Sequence, residues 1–255
     1  MDITAQPTQV RLFEELSLNA WPAHQTLCYD GWIMRFAEGY TRRSNSVNPI
    51  YPSALALQGK VEQCEQTYQA RNLNPTFKLT EAAPDGLDAL LAERGYAYDA
   101  PTSVQTADLA DLPAPMLTTI TLDEQLTEAW QREYCRLNKV DPRFVPAMTK
   151  LLNNIVPERC YLTLRDGTAT VAAGMAVVEH GYVGVYDIIV APEHRQRGFG
   201  VQLLLNLLRW GKAHGAKTGY LQVMLNNTPA LRLYHKLGYR EIYRYWYRVK
   251  AQPSH

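Results

Sequence analysis

One stretch constrains this chain more than any other. Residues 190–201 read VAPEHRQRGFGV. Before it, residues 182–191 (YVGVYDIIVA) are β-branched and aromatic, as in a strand. After it, Val201, Leu204, Leu205 and Leu208 recur on one helical face. A strand therefore feeds through a basic, glycine-containing loop (His194, Arg195, Arg197, Gly198, Gly200) into a helix from about Gly198 to His214. The first N–H groups of such a helix have no internal partner, and the helix dipole adds positive charge there. A phosphate satisfies both, glycines let it approach, and arginines can add charge-assisted hydrogen bonds. A lone glycine-rich helix start also serves as a plain strand-to-helix turn. The stretch is not a Walker loop, because no GKS or GKT follows. It is not a dinucleotide fingerprint either, since the G-x-G-x-x-G spacing fails and the preceding sheet reads as antiparallel.

The surrounding pattern is α/β. Residues 111–116 (DLPAPM) hold two prolines and predict an extended connector between domains. Residues 116–122 then read as a strand, and Asp123 caps a helix to about Asn138. Residues 161–165, 168–180 and 182–191 form a three-stranded antiparallel meander turned at Asp166-Gly167 and Gly181. After the long helix come a strand (220–225), a short helix opened by Asn226-Asn227-Thr228-Pro229 and closed by Gly238, and a tyrosine-rich strand (240–249). The N-terminal part predicts strands at 32–37, 76–80 and 103–109 and helices at 61–72 and 86–96. LLAERGYAY (90–98) echoes RLYHKLGYRE (232–241), a helix, a glycine stop, an aromatic and a strand; the echo suits an N-terminal diverged copy of the C-terminal fold, or simply the common helix–glycine–strand pattern. The domains expected are 1–112 and 117–250.

Arg195-Gln196-Arg197-Gly198-Phe199-Gly200, after Val190 and Pro192, resembles the pyrophosphate loop of the GCN5-related N-acetyltransferases. Asn226, Asn227, Ala230, Tyr234, Gly238 and Tyr239 match the same family's second motif, N-N-x-x-A-x-x-x-Y-x-x-x-G-Y. The resemblance covers about 117–249. It implies a mixed, mostly antiparallel sheet flanked by helices, with acetyl-CoA as cofactor. By the same resemblance, Ile189, Val190, Ala191, Arg195, Gln196, Arg197, Gly198, Phe199, Gly200, Val201, Asn227 and Tyr234 bind the cofactor. It implies direct attack of an amine on the thioester in a ternary complex. Ile189 or Val190 would offer the carbonyl oxygen a backbone N–H from a splayed strand, and Tyr234 would serve the leaving thiolate. Residues 31–47 resemble a segment preceding the acetyltransferase domain in some two-part bacterial members.

An ammonium must lose its proton before it attacks. Asp187 interrupts an apolar strand, a costly placement unless it is paired or lines a cleft, and ranks first as the base. Glu179 on the neighbouring strand, water relay and His180 follow. Tyr186, with Tyr182, Tyr243 and Trp246, can wall an acceptor pocket or pack the core. Arg35 and Asn45 can hold an anionic part of a substrate, or serve at the surface or between domains.

With 26 basic and 25 acidic residues, a net charge of +1 supplies no field for nucleic acid or anionic membrane. Four scattered cysteines form no metal or redox spacing and suit a reducing cytoplasm. No apolar run resembles a signal peptide or a membrane span. The expectation is a cytoplasmic N-acetyltransferase acting on a primary amine of a small molecule or peptide, without metal, nucleic acid or membrane. The rival reading is a non-catalytic acyl-CoA-binding regulator or interaction module.

Overall fold

The structure is a computed structural model and describes residues 6–250. It is a mixed α/β protein with mostly antiparallel sheet flanked by helices. The chain divides into two compact units. One holds the chain up to Ser103 together with the stretch from Ile242 onward, and the other holds Val104–Glu241. The division thus falls ahead of the proline connector at 111–116, and it assigns the last strand to the first unit.

The first unit opens with α1 (Pro7–Ala20), whose buried face carries Val10, Phe13, Ser17 and Ala20 at helical spacing. Strands β1 (Gln25–Tyr29) and β2 (Trp32–Phe36) follow. They form a hairpin in which Tyr29 faces Trp32 and both turn residues, Asp30 and Gly31, have positive φ. Then come β3 (Val47–Pro49), α2 (Leu57–Gln69), β4 (Thr76–Thr80), α3 (Leu87–Glu93) and β5 (Ala97–Asp108). Trp32, Val61, Tyr68, Phe77, Leu87 and Leu91 make its apolar core.

The second unit contains β6 (Ile120–Asp123), α4 (Glu128–Asn138), α5 (Val145–Asn153), β7 (Glu158–Asp166), β8 (Ala169–Glu179) and β9 (Tyr182–Val190). It continues with α6 (Phe199–Ala213), β10 (Thr218–Met224) and α7 (Thr228–Lys236); β11 (Arg240–Val249) follows and lies mostly in the first unit. The sequence expects Asp123 to cap α4. Instead Thr127 does so, its hydroxyl accepting from the Trp130 N–H, while Asp123 ends β6.

In this unit the strand order is β5-β10-β9-β8-β7-β6, with β5 entering from Val104. The β6–β7, β7–β8 and β8–β9 pairings are antiparallel, and β9–β10 is parallel. Helix α6 buries Leu203, Leu204, Leu207 and Leu208, each worth ~1.5–3 kcal/mol of apolar transfer. It lies close on the sheet because Gly211 has no side chain. A Cβ there would stand 2.6 Å from Val183.

Strand β11 pairs antiparallel with β4, Tyr245 facing Thr80 and Val249 facing Thr76. The end of β5 takes the corresponding place beside β10, and Leu109 N–H continues the contact by donating to Lys217 C=O at 3.0 Å.

Candidate active site

The site is built where two parallel strands part. Strands β9 and β10 pair only from Tyr182/Thr218 to Gly184/Tyr220. Beyond that, β9 runs on to Val190 and β10 to Met224. Strand β9 also carries a bulge, because Met175 faces Tyr186 while Ala173 faces Ile189. The extra residue is accommodated at Asp187, with φ 53°, a left-handed conformation that Asp tolerates better than most residues.

The backbone direction after the bulge separates the two candidate donors. Ala191 N–H donates to Val171 C=O at 2.8 Å. Alternation along the antiparallel ladder then turns the Ile189 N–H toward β8 as well, where Ala173 faces it. The N–H of Val190 points the other way, to the side where β10 has parted. The same alternation turns the Ile188 N–H that way, a residue that sequence reasoning missed because the bulge is set by pairing with β8. Of Ile189 and Val190, the structure leaves Val190 free to offer its N–H, and the ladder commits Ile189.

The loop after β9 brings the remaining groups in. Arg195 Nε donates to Val190 C=O at 3.3 Å. Gln196 and Gly198 both have positive φ, 61° and 86°. Gly198 is the N-cap of α6. No side chain caps this helix, and no acidic residue lies in its first turn. A Cβ on Gly198 would meet nothing within 4 Å, so the chain stands in open space just ahead of the amides of Phe199, Gly200 and Val201. Phe199 is buried, with the Arg197 guanidinium 5.1 Å from its ring. Arg197 also donates to Asp166 at 2.9 Å. A Cβ on Gly200 would lie 3.1 Å from Leu233 and 3.6 Å from Val190, which ties the start of α6, the end of β9 and α7 together. These donors fit an anionic pyrophosphate, and the exposed edge of β9 fits the amide-bearing arm of a coenzyme A.

Tyr234 follows Leu233 on α7. It is buried, its ring edge-on to Tyr239, and burial pushes its phenol up to about 12. Asn227 caps α7, its Oδ1 accepting the Ala230 N–H at 3.3 Å, which leaves its Nδ2 as the part able to serve a ligand. Tyr186 is buried and donates to the Tyr220 hydroxyl at 2.8 Å. Glu179 sits at the end of β8, opposite Tyr182.

Two expected substrate contacts are committed elsewhere. Arg35 is buried, and its guanidinium donates to the carbonyls of Leu18, Trp21 and Arg43. Burial lowers it to about 10, still protonated at neutral pH. Asn45 accepts from the N–H groups of Ala37 and Gly39 and donates to the carbonyls of Ala37 and Thr41. Both staple the 37–45 loop of the first unit. Tyr243 likewise donates to Glu14 and the Trp246 indole to Asp88, both within that unit. Among the described residues no three His, Cys, Asp or Glu side chains group as a metal site, and no helix is long and apolar enough to cross a membrane.

Comparison with known proteins identifies the family. Residues 7–248 match the family described as "Probable histone acetyltransferase Rv0428c C-terminal". The chain belongs to this acetyltransferase family. It is 30% identical over 246 residues to the "Uncharacterized N-acetyltransferase YobR" of Bacillus subtilis, covering 94% of this chain and 98% of that one. It is 26% identical over 242 residues to the "Probable histone acetyltransferase Rv0428c" of Mycobacterium tuberculosis, covering 94% of this chain and 73% of the relative. A GCN5-related N-acetyltransferase from Kribbella flavida shares the fold, with a TM-score of 0.69 at 16% identity, over 95% of this chain and 96% of that one.

Proposed function

We propose that this chain transfers an acetyl group from acetyl-CoA to a primary amine of a small molecule or peptide, by direct attack in a ternary complex. The observation that carries the reading is the uncapped, open start of α6 beside the parted strands β9 and β10. Phe199, Gly200 and Val201 hold the pyrophosphate through their N–H groups, with Arg195, Gln196 and Arg197 around it. Val190, Ala191 and Asn227 hold the pantetheine arm. Acetyl-CoA, when bound, supplies an activated acetyl group on a good leaving thiol.

The chain's own residues then have four tasks. Residues 188–190 orient the carbonyl against the acceptor, and proximity alone can supply ~7–11 kcal/mol of the barrier. The N–H of Ile188 or Val190 stabilises the developing oxyanion. Tyr234 would serve as a hydrogen-bond donor to the thiol that leaves. Burial raises its phenol, so the group stays protonated and able to donate at neutral pH. Asp187 or Glu179 receives the acceptor's proton.

A panel of amines with acetyl-CoA, read by CoA release, tests this reading. It includes lysine-rich peptides, because the mycobacterial relative carries a histone acetyltransferase name. Tyr234→Phe is expected to keep CoA affinity and to lose ~10-fold or more in turnover. Tight acetyl-CoA binding with no release from any amine would favour a regulatory binding protein instead. All four cysteines are free, which supports a cytoplasmic place for the protein.

We also infer that the first unit is a diverged copy of the second. β3-α2-β4-α3-β5 repeats β9-α6-β10-α7-β11, with β3 and β4 parallel as β9 and β10 are. Gly95 and Gly238 end the two short helices alike, and Tyr96 and Tyr239 donate back to residues 91 and 234. At the position of Tyr234 the first unit has Leu91, which cannot donate to sulfur.

A further inference from the structure

The far end of α6 borders a cavity that acetyl transfer does not use. Its volume is about 550 Å³, within the range of small-molecule pockets, and every residue lining it belongs to the second unit. The amides assigned to the pyrophosphate lie at the other end of the helix. Phe199 and Lys212 are ~20 Å apart along its axis, at ~1.5 Å per residue. Small side chains keep the cavity open, since Ala107, Ala110, Ala216 and Gly238 line it. Three cations line it as well, each from a different segment. Lys212 comes from the last turn of α6, Lys217 from the α6–β10 connection and Arg240 from the first residue of β11.

The partners of these cations are neutral. Lys212 Nζ donates to the carbonyls of Leu109 at 2.7 Å and Ala110 at 2.8 Å, and Arg240 Nη1 donates to Tyr239 C=O at 3.0 Å. Carbonyls thus fix two charged heads without cancelling their charge. The backbone of Lys217 is held on both sides, its N–H donating to Gly181 C=O at 2.8 Å and its C=O accepting from Leu109 N–H at 3.0 Å. The one carboxylate in the lining, Asp108, already accepts the Ala110 N–H at 2.8 Å. The C-terminal end of α6 adds about half a negative charge. Three cations outweigh both, which leaves an excess of about +1.5. The geometry points to a second ligand site here, for a small organic dianion, either a phosphate ester or a dicarboxylate. Lys212 retains a third N–H, Arg240 retains further donors of its guanidinium fork, and the hydroxyls of Thr106 and Thr218 line the same space. Charge-assisted hydrogen bonds from these groups suit paired anionic oxygens. Side chains tethered beforehand lose less freedom when the ligand arrives.

The test is calorimetry on the full chain at low salt, with glycerol 3-phosphate and succinate as probes, each with and without saturating coenzyme A. One probe at least is expected to bind saturably, and coenzyme A should not displace it. Binding by glycerol 3-phosphate alone assigns the site to a phosphate ester, and binding by succinate alone to a dicarboxylate. Lys217→Ala and Arg240→Ala alter exposed side chains, so the fold should survive. Each should weaken the probe ~5-fold or more, and Lys217→Arg, which keeps the charge, should bind it nearly as the unaltered protein does. Added salt should weaken the probe further. Coenzyme A affinity should stay the same in all three variants. No saturable binding of either probe in the millimolar range overturns the site. So does binding that coenzyme A displaces, or binding that survives both alanine substitutions unchanged.

Discussion

Arg197 donates to Asp166 at 2.9 Å, directly before the first turn of α6. The guanidinium is thus held by a carboxylate in the place where a pyrophosphate would recruit it. Both side chains are about half exposed, so the pair is weak, worth ~0–1 kcal/mol. Asp166→Asn frees the arginine and removes a negative charge from the loop. We expect CoA to bind about two- to five-fold more tightly, with the gain shrinking at high salt. Calorimetry at two ionic strengths measures this, and weaker binding by the variant would contradict it.

Gly198 combines φ 86° with open space on its Cβ side. Any other residue there strains the backbone by ~1–2 kcal/mol, and a carboxylate also repels phosphate. Gly198→Glu is expected to abolish CoA binding, whereas Gly198→Ala weakens it through strain alone. Normal affinity of Gly198→Glu in calorimetry would remove the pyrophosphate from this helix.

In the first unit, Glu14 accepts from buried Lys78 at 2.6 Å and from Tyr243. Truncating one partner leaves a buried ammonium without its counter-charge. Glu14→Ala should therefore cost ~3–5 kcal/mol of stability, read as a lower urea midpoint. A change under about 1 kcal/mol would show that water reaches Lys78.

Asp30 links the β1–β2 turn to the start of α2. Its carboxylate accepts from the N–H groups of Leu55 and Ala54 and from Lys60, and these hold it down from 3.8 to about 2. A carboxyl depressed in the folded state contributes stability that is complete above its unfolded value and lost as pH falls through the folded one. That window runs from about pH 4 to about pH 2. Asp30→Asn keeps the left-handed turn residue but removes the titration. Its acid unfolding curve should be flatter than the unaltered protein's across that window, and an unchanged slope would contradict the assignment.

Much of the second unit is legible in the chain. The spacing of Val201, Leu204, Leu205 and Leu208 predicts α6, and Asn227 and Pro229 predict the start of α7, because these signals are local. α1 is harder to read because Glu14 and Ser17 interrupt its buried face, and β1 is mostly exposed and shows no alternation. The bulge at Asp187, the orientation of Val190 against Ile189, and the placing of β11 beside β4 depend on which strands pair. No local pattern encodes those pairings. Arg35 and Asn45 misled for a related reason. Polar residues near Trp32 and Tyr40 in sequence read as a ligand contact or as surface or interdomain groups, and the hydrogen-bond partners show a loop staple instead.

A crystal structure with coenzyme A tests the central claim most directly. The account predicts pyrophosphate oxygens on the N–H groups of Phe199, Gly200 and Val201, with the pantetheine arm along Val190 in the fork. Coenzyme A bound elsewhere, or α6 closed at Gly198 with no ligand on its amides, would contradict it.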